Sequence, residues 1–413
     1  MVLVAEGPAT ELVAALVAAG AFPIVETKWA DAPAAFQSVK PAAVVIAEAG
    51  APADVAAANE LCRQIATATG TIVPVVGRVG GALEAALPIA LAVDVALPDE
   101  RLVARLRSAM RVRALHATVL RRIETVAVHG GGLPAFPAGD ALDDATVLIA
   151  GRGPLYPKLS VAMGEQVTML GALSVEGAAK HLNARDIDGI VLGDGFSPRK
   201  VEAFLTVLAQ DVRFRDIPVA VVGNDMPDFI EALPNVDHVD GDPTRLVARM
   251  VPLVRMHSFE ARLKRMLKSL DADGIFDPDT GLHGRDAFRQ ELGKAAADAS
   301  DTGMALSVAR LSFDGLLDTR AGKDAGRLLT RLIRSVDFAC RDDDGALLIA
   351  FTQTDLRGAH VIARRIASAL KTTLTNTAHA KIAAAVTLAT LKDGDTLDTL
   401  LLRVTGGHMV AAE

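Results

Sequence analysis

The stretch Arg101-Leu-Val-Ala-Arg105 recurs as Arg245-Leu-Val-Ala-Arg249, displaced by 144 residues, and this repeat decides how the larger part of the chain is read. Each copy opens a long helix-period segment that follows a series of short apolar runs. Before the first copy, Val2–Val4, Pro23–Val25, Ala42–Ile46, Ile72–Val76 and Val93–Ala96 read as strands. Glu11–Ala19, Pro33–Val39, Asp54–Thr67 and Gly81–Ala90 read as helices between them. Before the second copy, Thr146–Ala150, Val167–Leu170, Gly189–Leu192, Val219–Val222 and His238–Val239 repeat the pattern. Such alternation implies parallel sheets covered on both faces. A pentapeptide at the same place in both series implies an internal duplication. His129 to Gly139, punctuated by Gly and Pro, reads as the linker between the copies.

The whole chain has 413 residues, enough for two or three domains with cores of their own. Hydrophobic residues make up 51% and charged residues 23%, the balance of a globular protein rather than a disordered one. Aromatic residues are only 4%, with Trp29 and Tyr156 alone of their types, which disfavours stacking platforms for single-stranded nucleic acid. A net charge of -7 without a basic tail argues against coating DNA or a membrane, so neither is expected as a partner. Cys62 and Cys340 form no CxxC and no ligand spacing, and a reducing cytoplasm is the simplest reading. Met1 to Glu6 lacks the positive start of a signal peptide, and no apolar run reaches the ~20 residues of a membrane span.

From Glu260 to Leu270, Leu263, Met266, Leu267 and Leu270 recur at three- and four-residue spacing, a helical lead-in to a third region. There the expected elements are a helix over Arg285–Ala297, strands at Ala305–Leu311 and Ala346–Phe351, a helix over Leu356–Leu370 and a strand at Lys381–Thr390. Several enzymatic signals fail on inspection. The glycines after His129 have no GxSxG nucleophile to serve, and Gly151-Arg-Gly153-Pro-Leu-Tyr156 lacks the third glycine of a dinucleotide fingerprint. There is no Walker loop and no HExxH.

With those elements in view, the two β/α series resemble response-regulator receiver domains. The resemblance implies an acidic pair after the first strand, a phosphoacceptor aspartate, a hydroxyl and a lysine. The acid pair falls on Ala5 and Glu6 in one copy and Ala150 and Gly151 in the other. The acceptor falls on Ala47 and Gly193, the hydroxyl on Gly77 and Gly223, and the lysine near Leu97 and Gly241. Glu48 and Asp194 lie one residue beyond the acceptor, where a slip along a strand turns a side chain away. Both copies are therefore expected to be pseudo-receivers, without phosphoacceptor or metal.

Asp277-Pro-Asp-Thr-Gly-Leu-His-Gly-Arg-Asp-Ala-Phe288 resembles the opening D-x-L-T-G-L-x-N-R-x-x-F stretch of GGDEF domains, with Asp279 for Leu and Gly284 for Asn. The order receiver, receiver, GGDEF resembles the PleD-like architecture and, in its degeneracy, PopA-like cyclic di-GMP effectors. Cyclase catalysis in that family implies two metal carboxylates and a glycine hairpin. The D-x-D-x-F stretch here reads Ala309-Arg-Leu-Ser-Phe313, and the hairpin reads Asp343-Asp344-Gly345-Ala346-Leu347. Aspartates there would repel a polyanion, and Phe313–Ser335 is shorter than the family's stretch. The resemblance thus implies no catalytic residue, no metal and no cofactor.

The family's R-x-x-D inhibitory motif, which binds cyclic di-GMP five residues ahead of the hairpin, matches Arg334-Ser-Val-Asp337, and Arg365 falls where its second arginine lies. Arg185/Asp188, Arg213/Asp216 and Arg341/Asp344 share the spacing but not the offset. An isolated surface ion pair at this spacing is the bland alternative.

The expected fold class is α/β: two doubly wound, flavodoxin-like, receiver-type domains followed by a degenerate GGDEF, nucleotidyl-cyclase-like α/β domain. Its boundaries fall at 1–127, with an extended final helix, a 128–144 linker, 145–270 and 271–413. The expected function is a catalytically inactive cyclic di-GMP effector, cytoplasmic and homodimeric, acting on an unidentified protein partner. Resemblance adds a cell-cycle or polar role. The alternative is a ligand-independent dimeric scaffold, and an active diguanylate cyclase is disfavoured by the missing carboxylates.

Overall fold

A computed structural model describes residues 1–47, 54–79, 87–128, 139–223, 233–270, 276–277, 280–313, 317, 319–373 and 383–405. The chain divides into two compact units, one of Met1–Arg113 with Pro137–Leu263 and one of Ala114–Phe136 with Lys264–Glu413.

The first unit holds two parallel sheets. In the first, β1 (Val2–Val4), β2 (Val25–Thr27), β3 (Val44–Ile46), β4 (Val75–Arg78) and β5 (Ala90–Val93) run in the order β2-β1-β3-β4-β5. Their connections are α1 (Thr10–Ala18), α2 (Ala32–Val39), α3 (Asp54–Thr67) and, after β5, α4 (Asp99–Val128). Alternate strand residues serve opposite faces. Val2, Val4, Val44 and Ile46 pack with Phe36 and Leu61, while Leu3 and Val45 pack with Leu12, Leu16 and Leu102. Burial on both sides is why β1, β3 and β5 read as unbroken apolar runs.

The second sheet repeats the topology. Here β6 (Thr146–Ala150), β7 (Thr168–Ala172), β8 (Gly189–Leu192), β9 (Val219–Val222) and β10 (Val236–Val239) run β7-β6-β8-β9-β10. The helices are α5 (Tyr156–Gly164), α6 (Val175–Ala184), α7 (Pro198–Gln210) and α8 (Pro243–Leu270). Both sheets have the doubly wound, flavodoxin-like strand order, whose switch point lies between the first and third strands.

The repeated pentapeptides lie where the two modules of this unit meet. Arg101 donates from Nη1 to Leu233 O and from Nη2 to Val236 O, both at 2.8 Å. Arg105 pairs with Asp237 of β10. Reciprocally, Arg245 Nη2 lies 3.3 Å and Arg249 Nη2 3.8 Å from Asp94 Oδ2, just after β5.

Two expectations are corrected here. The strand expected over Val93–Ala96 ends at Val93, because Asp94 Oδ1 accepts from Ala96 N at 3.0 Å in an Asx-type turn. Gly81–Ala90 is not helical to its end, since Ala90 opens β5. Its residues 81–86, and residues 129–138 of the linker, lie outside the described part.

In the second unit, β11 (Leu306–Phe313), β12 (Phe338–Arg341), β13 (Leu347–Thr352) and β14 (Ala384–Thr390) form an antiparallel sheet ordered β12-β13-β11-β14. Its helices are α9 (Arg285–Thr302), α10 (Thr319–Leu332), α11 (Leu356–Thr373) and α12 (Leu397–Thr405). One face packs Ala309, Leu311, Ile349 and Phe351 against α10 and α11, and the other packs Val308, Leu348 and Phe338 against α9 and α12. The distal half of α4 belongs to this unit, with Arg122 Nε 3.1 Å from Glu291 Oε2, a carboxylate of α9 with no exposed side-chain surface. Among the described residues no helix is long and apolar enough to cross a membrane.

Candidate ligand site

Arg334 and Asp337 lie in the short connection between α10 and β12. The two side chains form a fork: Nε donates to Oδ2 at 2.9 Å and Nη2 to Oδ1 at 2.8 Å. The same Nη2 reaches Thr352 O and Thr354 Oγ1, each at 2.9 Å, and Thr352 N donates to Asp337 Oδ1 at 3.1 Å. Asp337 keeps 1% of its side-chain surface exposed, whereas Arg334 keeps 50%. This is not the loose surface pair of the bland alternative, because one partner is buried and fixed to the backbone of β13.

The electrostatics follow from that asymmetry. Burial pushes the Asp337 carboxyl up, against the pull of Arg334 and the Thr352 amide. The bond to Asp337 in turn holds the Arg334 guanidinium above its usual range. Arg334 Nη1 has no hydrogen bond among the described residues, so the N–H groups of that one nitrogen remain available to a ligand.

Arg365 makes no hydrogen bond or ion pair with this pair. It lies exposed on α11, whose buried side carries Ala359, Ala363, Ile366 and Leu370. Ile333 and Ile362 pack on one hydrophobic cluster, so the Arg334 connection and the α11 helix share a sheet face. Thr352 and Thr354 were missed by sequence reasoning. No spacing rule flags them, since their part depends on a β13 carbonyl and a hydroxyl meeting a distant arginine.

The positions at which the resemblance implies metal carboxylates are apolar and closed. Ala309 and Leu311 have no exposed surface and Ala346 has 3%. The hairpin between β12 and β13 turns through Gly345 at φ +83°, with Gly345 N donating to Asp342 O at 3.0 Å. Its aspartates are not bare: Asp342 and Asp343 pair with Arg285, and Asp344 pairs with Arg310. The repulsion expected of them is therefore largely answered by the chain's own arginines.

The residues at the positions where the resemblance implies a receiver site are engaged in local contacts. A cavity of about 400 Å³ at the ends of β1, β3 and β4 is lined by Ala5, Glu6, Ala47, Arg78 and Asp99 among others. Glu6 Oε1 accepts from Trp29 N at 3.1 Å, and Arg78 pairs with Asp99 at 2.7 Å. A side chain at Gly77 would put its Cβ 2.4 Å from the Cβ of Ile46. Asp194 is not turned away as strand alternation suggests. It follows the end of β8, and its Oδ2 meets Leu155 N at 3.4 Å in the loop after β6. Glu48 lies outside the described residues. Among the described residues no group of three His, Cys, Asp or Glu could hold a metal ion.

No protein-family model matches the chain, and no curated protein matches it. Solved structures do. The GGDEF domain of DgcB from Caulobacter crescentus, in complex with c-di-GMP, is 21% identical, with a TM-score of 0.30 and coverage of 32% of this chain and 87% of that one. The diguanylate cyclase SiaD from Pseudomonas aeruginosa, in complex with its activator SiaC, is 20% identical, with a TM-score of 0.31 and coverage of 40% and 69%. The FimX GGDEF domain from Pseudomonas aeruginosa is 16% identical, with a TM-score of 0.29 and coverage of 32% and 90%. It is to GGDEF domains, over about a third of its length, that this chain is similar.

Proposed function

We propose that the chain is a catalytically inactive cyclic di-GMP receptor that binds the dinucleotide at Arg334, Asp337 and Arg365 and signals through protein–protein contact. The observation that carries this reading is the Arg334–Asp337 fork, whose carboxylate is buried and fixed while its guanidinium is half-exposed with Nη1 unbonded. Guanine offers O6 and N7 as a paired acceptor to an arginine, and N1–H with its amino group as donors to a carboxylate. With 1% of its side chain exposed, Asp337 is covered by Arg334, so guanine reaches its carboxylate only as Arg334 leaves the fork. Binding then exchanges an internal pair for ligand contacts and releases Thr352 and Thr354 ahead of α11. Arg365 on that helix supplies charge for a phosphate.

Inactivity is supported by the apolar Ala309, Leu311 and Ala346 at the positions of the family's metal carboxylates. The two N-terminal modules are read as pseudo-receivers, and the functional unit as a cytoplasmic homodimer with a cell-cycle or polar role. The closed fork favours one second reading: Arg334 as a purely structural staple in a ligand-independent scaffold.

Calorimetry with cyclic di-GMP separates the two. Binding heat from the wild type that is lost in Arg334→Ala supports the receptor. No heat supports the scaffold, and equal heat from both overturns binding at Arg334. GTP turnover with Mg²⁺ by the purified chain would overturn inactivity.

A further inference from the structure

The helices α10 and α11 cover one face of the antiparallel sheet side by side, with Ala325 and Leu329 of one and Ala363 and Ile366 of the other in a single hydrophobic cluster. Their outward faces are basic. Helix α10 presents exposed Arg320 and Arg331, with Lys323 and Arg327, which have partners of their own, between them and Asp324 as its one acid. Helix α11 carries Arg357, Arg364, Arg365 and Lys371 and no acid at all. Arg320, Arg331, Arg357 and Arg364 are all exposed. An ordinary solvated helix face mixes signs at three- and four-residue spacing, because like charges there destabilise it. In a chain whose acids outnumber its bases, 50 to 43, this segregation is a local inversion of the overall charge.

Two apolar side chains interrupt the basic face: Leu356 is 52% and Val361 64% exposed. Basic residues surrounding exposed aliphatic ones are the complement of an acidic amphipathic protein segment, with carboxylates on the rim and aliphatic side chains at the centre. The described part of the face carries no Trp, Tyr or Phe to seat in a lipid interface or stack on bases. The overall charge of -7 opposes approach to a nucleic-acid polymer.

We infer that the α10–α11 face is a docking surface for an acidic, amphipathic segment of a partner protein. Steering comes from the arginines and seating from Leu356 and Val361. This inference does not rest on the dinucleotide reading, because Arg320, Arg331, Arg357 and Arg364 are outside the Arg334, Asp337 and Arg365 set.

The test uses the full chain and a fluorescent twenty-residue helical peptide with Glu on one face and Leu on the other. Anionic phosphatidylserine vesicles and a DNA duplex are run in parallel. The expected results are binding of the peptide that falls steeply with salt, at least tenfold weaker binding by Arg357→Glu/Arg364→Glu and by Arg320→Glu/Arg331→Glu, and unchanged binding by Lys392→Glu, a base outside both helices. Thermal midpoints of all variants are measured to exclude unfolding. No peptide binding, equal binding by the paired variants, or tighter binding to vesicles or duplex than to peptide would overturn the inference.

Discussion

Arg105 and Asp237 form a two-bonded ion pair between modules, at 2.9 and 3.1 Å, with 2% and 1% of their side chains exposed. The guanidinium also donates to Pro234 O at 3.2 Å and Val236 O at 3.3 Å, and to Ala92 O. Such a pair tolerates loss of one member badly, because the other is left charged and dry. Asp237→Ala is expected to cost about 3–5 kcal/mol of stability. Urea unfolding of the full chain checks this, and a loss below about 1 kcal/mol would refute it. Arg105→Met/Asp237→Leu should recover much of the loss.

A second expectation concerns acid. Burial of Glu291 pushes its carboxyl up, but His283, with Nε2 3.1 Å away, and the charges of Arg122 and Arg121 outweigh it and hold it at about 2, against 4.5 normally. A depressed carboxyl contributes stability that is present above its unfolded value and lost as pH falls toward the folded one. Glu291 should therefore contribute about 3 kcal/mol at pH 6, declining between about pH 4.5 and 2. Thermal midpoints of wild type and Glu291→Gln should differ widely at pH 6 and converge toward pH 2.5. A gap independent of pH would contradict the assignment.

Arg365 separates ligand from scaffold. It is exposed and has no ion pair among the described residues, so Arg365→Ala should change stability by less than about 0.5 kcal/mol. The same change should weaken cyclic di-GMP binding about tenfold, as expected for one lost charge-assisted contact. Calorimetry alongside thermal unfolding reads both, and a loss of stability without loss of affinity would count against the site.

Gly77 bears on the first module. Its substitution by Ala or Ser brings a Cβ to 2.4 Å from Ile46 Cβ and 2.7 Å from Ile46 O, contacts that only movement of β3 or β4 can relieve. Each is expected to destabilise by about 1–3 kcal/mol. A hydroxyl-bearing side chain there should therefore lower the thermal midpoint, and an unchanged midpoint would show that the strands separate freely.

How far the sequence reached depends on what each element hides. Thr146–Ala150, Gly189–Leu192 and Val219–Val222 were legible to the residue because they are buried on both faces and end at turn residues. The edge strand β2 was misplaced by two residues, since half-exposed Val25-Glu-Thr27 gives no apolar run. Helix α10 was not among the expected elements; its Gly322 and Gly326 let it approach Arg341 and Thr280 closely. The four-residue β12 and the nine-residue α12 were too short for a period to emerge. The Arg334 and Asp337 pairing followed from spacing, but its closure onto Thr352 and Thr354 could be seen only in three dimensions.

The reciprocal use of the two pentapeptides has a consequence for how this chain can be taken apart. Arg101 and Arg105 are committed to the second module, and Arg245 and Arg249 to Asp94 of the first. The bond between the modules is therefore not chiefly the peptide that joins them. A chain cut once between Val128 and Gly139 would still travel as one particle, its covalent connection made redundant by a duplicated grip.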